Sequence, residues 1–360
     1  MEYHALIVTG TRPEVIKMAP VYHALKNNDV SVRWCHSGQH DTLADQAFKH
    51  FDISPDITLQ RPKADDLSSL CAGLLAQLST VISEEKPTCV LVHGDTSSTL
   101  AAAQAAFYHQ IPIIAHVEAG LRSGNLFHPF PEEANRKQVA TIASRHYPPT
   151  PRALTALLAE NVNPDQILTT GNTVIDAQHY LIKQNKVAQP EDKHLVLVTA
   201  HRRENWENLP VICGAVNSLA KQRPDLTFIF ATHPNPAVLS QVKQHLSTRD
   251  NIQLSEPMGY LELQQTLANA ALVLTDSGGI QEEAPTYRVP VVVLRETTER
   301  PEACDIGIAI LAGAANTQRI LTAAQELLDR QSSFFVNPFG DGTAAEAIAK
   351  DIKELFNELP

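Results

Sequence analysis

Short runs of Val, Ile and Leu alternate along the first half of the chain with longer segments of helical periodicity. The predicted strands are His4–Gly10, Val30–Ser37, Thr88–Asp95, Ile111–Glu118 and Arg145–Pro149, and the predicted helices are Pro13–Asn27, Leu67–Glu85, Ser97–His109 and Glu132–Ser144. Nearly continuous apolar strands that alternate with helices are typical of a parallel sheet covered on both faces. We therefore predict a doubly wound α/β domain.

The same alternation begins again after Gly171. Here the predicted strands are Leu195–Ala200, Thr227–Thr232, Ile252–Glu256, Ala271–Thr275 and Pro290–Leu294, and the predicted helices are Asn208–Gln222, Pro236–Ser247, Tyr260–Asn269 and Thr343–Leu359. The polar, proline-containing segment Asn185–Lys193 has the composition of a linker. We predict two doubly wound α/β domains that face a cleft, residues 1–170 and 171–342, with a C-terminal helix within 343–360 packed back on the first domain.

Composition and charge narrow the class of protein. The chain has 360 residues, 43% of them hydrophobic, which is ordinary for a globular protein with two cores. Its 29 basic and 40 acidic side chains give a net charge of −11, which disfavours nucleic acid as a partner. The five cysteines form no C-x-x-C pair, and neither a run of 18 apolar residues nor a signal peptide is evident. We therefore expect a cytoplasmic protein with no membrane partner.

Ligands of parallel sheets bind at the carboxyl ends of the strands, so chemistry is expected at the strand-to-helix turns. In the first half these turns carry Asp95, Glu118 and Glu132. Three carboxylates in one crevice would raise at least one pKa by desolvation and like-charge repulsion, which suits proton transfer at carbon. Each also has a structural interpretation: Asp95 as a helix N-cap, Glu118 as a buried partner of an arginine, and Glu132 as an acid favoured by the helix dipole. A divalent cation is a further alternative, although no D-x-D or H-E-x-x-H spacing supports it.

Basic residues occur at turns of both halves. Arg12 and Lys17 lie at the start of the first predicted helix, where they either face an anionic ligand or are simply solvated. In the second half, His201 and Arg202 directly follow a strand, and His233 follows the next strand along the chain. Guanidinium groups at a strand end favour a phosphate site.

The strongest signal is the turn Ser277-Gly278-Gly279, which follows the predicted strand Ala271–Thr275. The backbone N–H groups of such a turn can approach a diphosphate closely at the positive end of the next helix. Glu283, one turn further on, is placed to accept hydrogen bonds from ribose hydroxyls. The pattern therefore predicts a nucleotide diphosphate site.

Nine motifs, taken together and in order, resemble one known family. They are G-T-R-P-E-V-I-K-M-A-P (10–20), H-G-D-T (93–96), H-V-E-A-G-L-R (116–122), P-E-E-A-N-R (131–136), T-G-N-T-V-I-D (170–176), H-R-R-E-N (201–205), D-S-G-G-I-Q-E-E-A-P (276–285), T-T-E-R-P-E (297–302) and N-P-F-G-D-G (337–342). The set resembles the non-hydrolysing UDP-N-acetylglucosamine 2-epimerases of bacteria, and it spans essentially the whole chain.

The resemblance implies two Rossmann-like domains, as in the B-type glycosyltransferases. It also implies reversible conversion of UDP-GlcNAc to UDP-ManNAc, which supplies ManNAc for surface polysaccharides such as capsule. In the family, UDP leaves C1 as the C2 proton is lost, giving 2-acetamidoglucal, and UDP adds back while C2 is reprotonated from the other face. No metal and no cofactor is expected. UDP-GlcNAc and UDP-ManNAc are the expected partners, and the expected assembly is a homodimer.

The matching motifs also imply site residues. The resemblance assigns catalysis to Asp95, Glu118, Glu132 and His201. It assigns diphosphate binding to Arg12, Lys17, Ser277, Gly278 and Gly279, ribose binding to Glu283, and a second, allosteric UDP-GlcNAc site to Gln39, His40, Arg202 and His233.

Three other functions remain alternatives. A glycosyltransferase on the same fold needs an acceptor groove and releases UDP irreversibly, and a hydrolysing epimerase yields free ManNAc. A non-catalytic nucleotide-sugar sensor would keep Ser277–Gly279 but could lose the carboxylates. Because all three carboxylates are present, the sensor is disfavoured.

Overall fold

The computed structural model describes residues 3–38, 41–190, 192–233, 235–330 and 336–360. These residues form two compact units. The first unit contains the chain up to Tyr180 together with Phe339–Pro360, and the second unit is Leu181–Pro338.

The first unit alternates strands and helices along the chain. Its elements are β1 (His4–Thr9), α1 (Arg12–Asn27), β2 (Ser31–His36), α2 (Asp41–His50), β3 (Ile57–Thr58), α3 (Leu67–Glu85), β4 (Cys89–His93), α4 (Ser97–Tyr108), β5 (Ile113–Val117), α5 (Glu132–Ile142), β6 (Arg145–Tyr147), α6 (Pro151–Ala159), α7 (Thr173–Lys183) and, from the end of the chain, α14 (Ala344–Glu358). The described strands form a parallel six-stranded sheet in the order β3-β2-β1-β4-β5-β6. Trp34, Phe51 and Tyr147 are among the largest fully buried side chains of this unit.

The second unit repeats this plan. Its elements are β7 (Leu195–Thr199), α8 (Leu209–Gln222), β8 (Thr227–Ala231), α9 (Pro236–His245), β9 (Ile252–Ser255), α10 (Tyr260–Asn269), β10 (Ala270–Thr275), α11 (Gly278–Glu283), β11 (Val291–Val293), α12 (Pro301–Asp305), β12 (Ala309–Leu311) and α13 (Thr317–Asp329). Its described strands form a second parallel sheet of six, in the order β12-β11-β10-β7-β8-β9. The predicted fold of two doubly wound α/β domains is therefore confirmed.

Both sheets have the same switch point. The chain reverses its direction of strand addition between β1 and β4 in the first sheet and between β7 and β10 in the second. In doubly wound sheets, ligands bind beyond the carboxyl ends of these neighbouring strands. The turns at Gly10–Arg12 and Gly94–Asp95 follow β1 and β4, and the turns at His201–Arg202 and Asp276–Gly279 follow β7 and β10.

The first unit ends at Tyr180, whereas the sequence placed the boundary after residue 170. The difference is α7, whose Val174, Ile175 and Ala177 are buried. The Asp176 side chain also accepts a 2.8 Å hydrogen bond from the Ala345 backbone N–H at the start of α14. Helix α14 packs against α1, and Asn28 donates to Glu346 across this contact.

The sequence predicts no membrane span, but helix α3 has the length and hydropathy of one. It is 19 residues long, and its best window reaches a mean hydropathy of 1.2, so by length and composition alone it qualifies as a span. In the structure it packs on α4 and contributes Leu70, Leu74 and Leu78 to the core, which assigns this stripe of the helix to the folded unit. Its opposite face is largely exposed.

Candidate active site

Glu118 lies at the turn that follows β5, in a left-handed backbone conformation with φ of +60°. Its Oε2 atom accepts a hydrogen bond from Lys17 Nζ, lies 3.5 Å from His93 Nε2 and accepts from Asn172 Nδ2 at 3.2 Å. Burial disfavours the charged carboxylate, but the charges of Lys17 and His93 outweigh it and hold the pKa of Glu118 well below its usual range. Glu118 is therefore a largely buried carboxylate whose surroundings favour its ionised form. Its partner is a lysine, not the arginine that the structural interpretation expected.

Asp95 follows β4, and its carboxylate binds Arg136 of α5. Arg136 donates to Asp95 Oδ2 from Nε at 2.8 Å and approaches it with Nη2 at 2.7 Å, while Asn135 Nδ2 donates to the Asp95 main-chain oxygen. The N-cap of α4 is Thr96, whose hydroxyl accepts from the Thr99 N–H at 3.1 Å. The interpretation of Asp95 as that cap is therefore wrong, and its Oδ1 atom has no hydrogen bond among the described residues.

Helix α5 starts with two acids that have different surroundings. Glu132 is half-buried, and within the described part of the chain it makes no hydrogen bond or ion pair. Glu133 is fully buried and accepts from the Ser123 and Gly124 N–H groups at 2.9 and 3.2 Å and from Arg136 at 3.1 Å. Burial opposes ionisation of Glu133, but these hydrogen bonds outweigh it and lower its pKa.

These contacts connect the candidate residues of the first unit. Lys17, on α1, reaches Glu118 after β5, and Arg136, on α5, reaches Asp95 after β4. Glu132 lies one helical turn before Arg136, so it is on the same face of α5. Gly94 N–H donates to the Val117 carbonyl at 2.9 Å, which fixes the two turns side by side. The three predicted carboxylates therefore all lie at the same edge of the first sheet. Arg12 begins α1 at the same edge.

In the second unit, Asp276 organises the turn after β7. Its fully buried carboxylate accepts from the His201 and Arg202 backbone N–H groups at about 3.0 Å and from Asn205 Nδ2 at 2.9 Å. Burial lowers the pKa of His201; the Asp276 charge opposes this shift, and His233 adds to it. These surroundings on balance favour the neutral imidazole. His201 and His233 lie close together, with ring centroids 6.1 Å apart.

The Ser277-Gly278-Gly279 turn caps α11, with the Ser277 hydroxyl accepting from the Ile280 N–H at 3.5 Å. This helix ends at Glu283 and continues as a 3-10 turn over Ala284–Tyr287. A Cβ atom on Gly278 would lie 3.1 Å from the Arg300 guanidinium, so a cation approaches this turn closely. Arg300 is in turn held by Glu282 at 2.8 Å.

Glu283 accepts a hydrogen bond from Gln264 Nε2 on α10. Gln264 in turn accepts from the Tyr287 hydroxyl at 3.0 Å. This chain of hydrogen bonds fixes the Glu283 side chain near Gly279, where a Cβ atom would meet Glu283 Oε1 at 3.4 Å.

Arg295 is a candidate residue that only the structure identifies. It follows β11, and its side chain is only 9% exposed. Its Nε and Nη1 atoms are buried without a hydrogen-bond partner among the described residues, and Glu204 lies 3.7 Å from Nε. Burial and the neighbouring Arg202 and Arg300 charges lower its pKa, with Glu299 and Glu204 opposing the shift. Three guanidinium groups therefore gather at this edge of the second sheet. The available signal was an arginine directly after a predicted strand.

The candidate allosteric residues are only partly placed. Gln39 and His40 lie outside the described residues. Arg202 and His233 belong to the second unit beside His201, and Arg202 Nε donates to the Asp276 carbonyl at 3.1 Å. Among the described residues, no group of three His, Cys, Asp or Glu side chains has the geometry to hold a metal ion.

Comparison with known proteins gives one consistent result. The family model for UDP-N-acetylglucosamine 2-epimerase matches residues 23–353. A UDP-N-acetylglucosamine 2-epimerase from Campylobacter jejuni is 42% identical, over 95% of this chain and 95% of that protein. The structure is similar to that of the Neisseria meningitidis UDP-GlcNAc 2-epimerase bound to UDP-GlcNAc, with a TM-score of 0.87 and 38% identity over 98% of this chain and 100% of that one.

A more distant relative has the same fold. The Methanocaldococcus jannaschii UDP-GlcNAc 2-epimerase, in complex with UDP-GlcNAc and UDP, has a TM-score of 0.80 and 32% identity, covering 98% of this chain and 99% of that one. These matches extend over nearly the whole chain, and all of the matched proteins are UDP-N-acetylglucosamine 2-epimerases. The chain belongs to the UDP-N-acetylglucosamine 2-epimerase family.

Proposed function

We propose that this protein interconverts UDP-GlcNAc and UDP-ManNAc by non-hydrolytic epimerisation at C2. The observation that carries the proposal is the set of carboxylates at one sheet edge, each in a different electrostatic environment. In the reaction, a base removes the C2 proton, the C1–O bond breaks with its electron pair leaving on UDP, and a C1–C2 double bond forms. UDP oxygen then adds back to C1 as C2 takes a proton on its opposite face.

The environments suggest a division of labour. Glu118 remains ionised beside Lys17 and suits electrostatic stabilisation of positive charge on the ring. Glu132 has no cationic partner among the described residues, and Asp95 keeps Oδ1 available while Oδ2 is held by Arg136. We assign proton transfer on the two faces of C2 to Glu132 and Asp95. Within the second unit, the arginines near Ser277–Gly279 would stabilise the leaving diphosphate.

The reaction is tested by incubating the full-length protein with UDP-GlcNAc alone, in D₂O with EDTA, and recording proton NMR spectra. The expected product is UDP-ManNAc with deuterium at C2. Product without solvent deuterium would exclude the proposed proton transfer, and free ManNAc as the product would indicate a hydrolysing epimerase.

The division of labour is tested with Asp95→Asn, Glu118→Gln and Glu132→Gln, which preserve shape and remove charge. Each is expected to lower kcat about 10²–10⁴-fold, with a smaller change in KM. Asp95→Asn and Glu132→Gln should still release UDP and 2-acetamidoglucal from one of the two epimers, because elimination needs only one face. Glu118→Gln should slow elimination and epimerisation equally. Glu354→Gln, at an exposed position of α14, is the matched control. Accumulation of the glucal by Glu118→Gln alone would reverse the assignment.

We further propose that the protein is a homodimer in which α3 meets a second copy. The outer face of α3 carries exposed Leu67, Ala72 and Ala76, and Phe107 and Tyr108 at the end of α4 are 52% and 66% exposed. Small residues spaced four apart allow close approach of a partner helix. Light scattering should give the mass of a dimer, and Ala76→Glu should give a monomer, while Gln241→Glu on α9 leaves the mass unchanged. A monomeric wild-type protein would contradict the proposal.

The remaining roles are proposed from the family alone. They are a second UDP-GlcNAc site that includes Arg202 and His233, a cytoplasmic location, and supply of ManNAc to bacterial surface polysaccharides such as capsule. If the second site operates, the epimerisation rate depends sigmoidally on UDP-GlcNAc concentration, and Arg202→Ala removes the sigmoidal shape. Loss of ManNAc from surface polymers after gene deletion tests the polysaccharide role.

A further inference from the structure

His116 is a polar side chain in an otherwise apolar strand. It lies on β5, between Ala115 and Val117, and it is fully buried. Its neighbours in the register of the sheet are Val92 on β4 and His146 on β6. The proposed reaction makes no use of this imidazole. A buried polar group in such a place calls for a physical reason.

The His116 ring is neutral, and its proton is on Nε2. Burial lowers the pKa of His116 to about 3; the hydrogen bond to Gly94 opposes this shift, and the neighbouring His146, His93 and Arg122 add to it. Nε2 lies 2.7 Å from the main-chain oxygen of Gly94, which can only accept, so Nε2 donates. Nδ1 is then an acceptor, and it has no hydrogen-bond partner among the described residues. The imidazole therefore leaves a buried atom unpaired, at a cost in stability, and makes one hydrogen bond to the Gly94 carbonyl.

The Gly94 carbonyl belongs to the peptide bond that leads into Asp95. Gly94 has a left-handed φ of +67°, and its N–H donates to the Val117 carbonyl at 2.9 Å. A Cβ atom at Gly94 would meet nothing within 4 Å, so side-chain packing does not fix this backbone. The hydrogen bonds from His116 and to Val117 restrain it instead.

Asp95 is held on its other side by α5. Asn135 Nδ2 donates to the Asp95 main-chain oxygen at 2.8 Å, and Arg136 Nε donates to Oδ2 at 2.8 Å. The peptide group before the Asp95 Cα atom is thus held by β5, and the peptide group after it by α5. A reacting group displaced by only about 1 Å can lose on the order of 10²-fold in rate, so both restraints bear on proton transfer.

We propose that His116 is a positioning residue, whose Nε2–H group fixes the Gly94–Asp95 peptide and thereby the Asp95 carboxylate. This inference rests on the proposed function, in which Asp95 transfers a proton at C2. Because His116 is fully buried, it acts through Asp95 and not on the substrate. An apolar side chain of similar size would fill the same space and leave the turn at Gly94 free to move.

The test measures epimerisation by full-length His116→Met and His116→Gln. Methionine fills the space but cannot donate, whereas the amide nitrogen of glutamine can take the place of Nε2. His116→Met should lower kcat about 10–100-fold with a smaller change in KM, and His116→Gln should stay within about threefold of the wild type. In the Asp95→Asn background, His116→Met should cost less than about threefold further, because the carboxylate that it positions is already lost.

Ile114→Ala, which truncates a buried side chain on the same face of β5, is the matched control. It should lower the Tm and leave the kcat of the folded protein within about twofold of the wild type. Equal losses of kcat from His116→Met in the two Asp95 backgrounds, or no rescue by His116→Gln, would overturn the proposal. If thermal unfolding shows that His116→Met is not folded, His116→Asn replaces it, because its shorter amide does not reach the Gly94 carbonyl. If neither is folded, His116→Gln decides, since a kcat within about threefold of the wild type supports the donor role and a larger loss refutes it.

Crystal structures of the variants separate this inference from the proposed reaction. The Asp95 carboxylate should be displaced by about 1 Å or more in His116→Met and stay in place in His116→Gln, whether or not the chain epimerises UDP-GlcNAc. A wild-type protein without epimerase activity would refute the proposed reaction. An undisplaced Asp95 in His116→Met would refute the positioning role.

Discussion

At the residue scale, the backbone of Glu118 has a left-handed conformation that few residues other than glycine adopt. Its φ is +60°, and two residues later Gly120 has φ of +86°, with no room for a Cβ atom, which would lie 2.3 Å from the Ala153 carbonyl oxygen. A non-glycine residue held in this region costs of order 1–3 kcal/mol and persists where its surroundings determine it. Here the surroundings are Lys17, His93 and Asn172, which all face the same carboxylate oxygen. The backbone conformation and the ion pair with Lys17 together hold the Glu118 carboxylate at the edge of the sheet.

The first prediction concerns this ion pair. Lys17→Met leaves Glu118 as a buried charge without its ammonium partner, so the free energy of unfolding should fall by about 3–5 kcal/mol. Chemical denaturation at neutral pH measures the change. Lys49→Met, which removes an exposed lysine of α2, should have little effect. The double variant Lys17→Met with Glu118→Gln should recover part of the loss, and no recovery would show that Lys17 stabilises the fold by other contacts.

The second prediction concerns the turn at Gly278. A valine there would displace the Arg300 guanidinium, which lies 3.1 Å from the position of a Cβ atom. If the proposed diphosphate site is correct, Gly278→Val should weaken UDP binding at least tenfold, as measured by calorimetry. Gly259→Val is the matched control, because a Cβ atom at Gly259 meets nothing within 4 Å. Equal UDP affinity in the two folded variants would place the nucleotide elsewhere.

Among the elements, α7 and α14 meet at a buried carboxylate. Burial raises the pKa of Asp176 from 3.8 to about 6, even though the backbone N–H of Ala345 donates to it. In the pH range from about 4 to about 6 the folded state therefore holds a proton that the unfolded state has lost. The contribution of this proton to stability is fully present below pH 4 and is lost as the pH rises through 6.

The third prediction follows from this loss of stability with rising pH. Asp176→Asn should remove this pH dependence, so the unfolding free energy of the wild-type protein relative to the variant should fall by about 2 kcal/mol between pH 4 and pH 6.5. Denaturation curves at several pH values measure the difference. The exposed Asp165→Asn should show no such slope. A difference that rises with pH would mean that the carboxylate is stabilised, not destabilised, by its surroundings.

The elements also show what could be predicted from the sequence. Strongly periodic segments were predicted closely, such as the helix Leu67–Glu85, whose bounds match α3. The short strands β3 and β12 have two and three residues, too few for any periodicity to appear. Helix α13 was not predicted, although its buried stripe, which includes Ile320, Ala324 and Leu327, has helical spacing.

Side-chain partners were less predictable than elements. The sequence places Asp95, Glu118 and Glu132 on neighbouring turns, because parallel strands end at one edge of the sheet. It does not reveal that Arg136 holds Asp95 or that Lys17 holds Glu118, since these partners are 41 and 101 residues apart in sequence. Such contacts depend on how α5 and α1 pack on the sheet. The buried role of Glu133 depends on the loop that turns its Ser123 and Gly124 N–H groups inward.

At the scale of the whole molecule, the two sheets share one strand order without any repeat in the sequence, and the chain completes its first unit only after its second. Helix α14 is fixed to the first unit by Asp351, which accepts from Arg145 Nε at 2.8 Å and from the Tyr147 hydroxyl at 2.7 Å. Burial and the Asp351 carboxylate raise the pKa of Tyr147 well above its usual range, and the Arg145 charge opposes this shift. The helix therefore supplies the negative charge that Arg145 and the buried Tyr147 hydroxyl of β6 contact.

The fourth prediction tests this attachment. Asp351→Ala should lower the unfolding free energy by about 3–5 kcal/mol, because Arg145 then lacks its buried partner. Glu354→Ala, at an exposed position of the same helix, should change it by less than about 0.5 kcal/mol. Denaturant titration compares the two variants. Similar stability in both would mean that apolar contacts alone hold α14 in place.

The late position of α14 also affects how the protein is made on the ribosome. The β6 residues that need Asp351 are synthesised first, and the whole of Leu181–Pro338 must be translated before the helix can emerge. At roughly 5–20 residues per second, that delay lasts on the order of 10–30 s. During this interval Arg145 and Tyr147 lack their partner, and the surface of α1 that receives α14 is uncovered. The nascent first unit is thus incomplete through most of translation, and it is then that we expect it to depend most on chaperones.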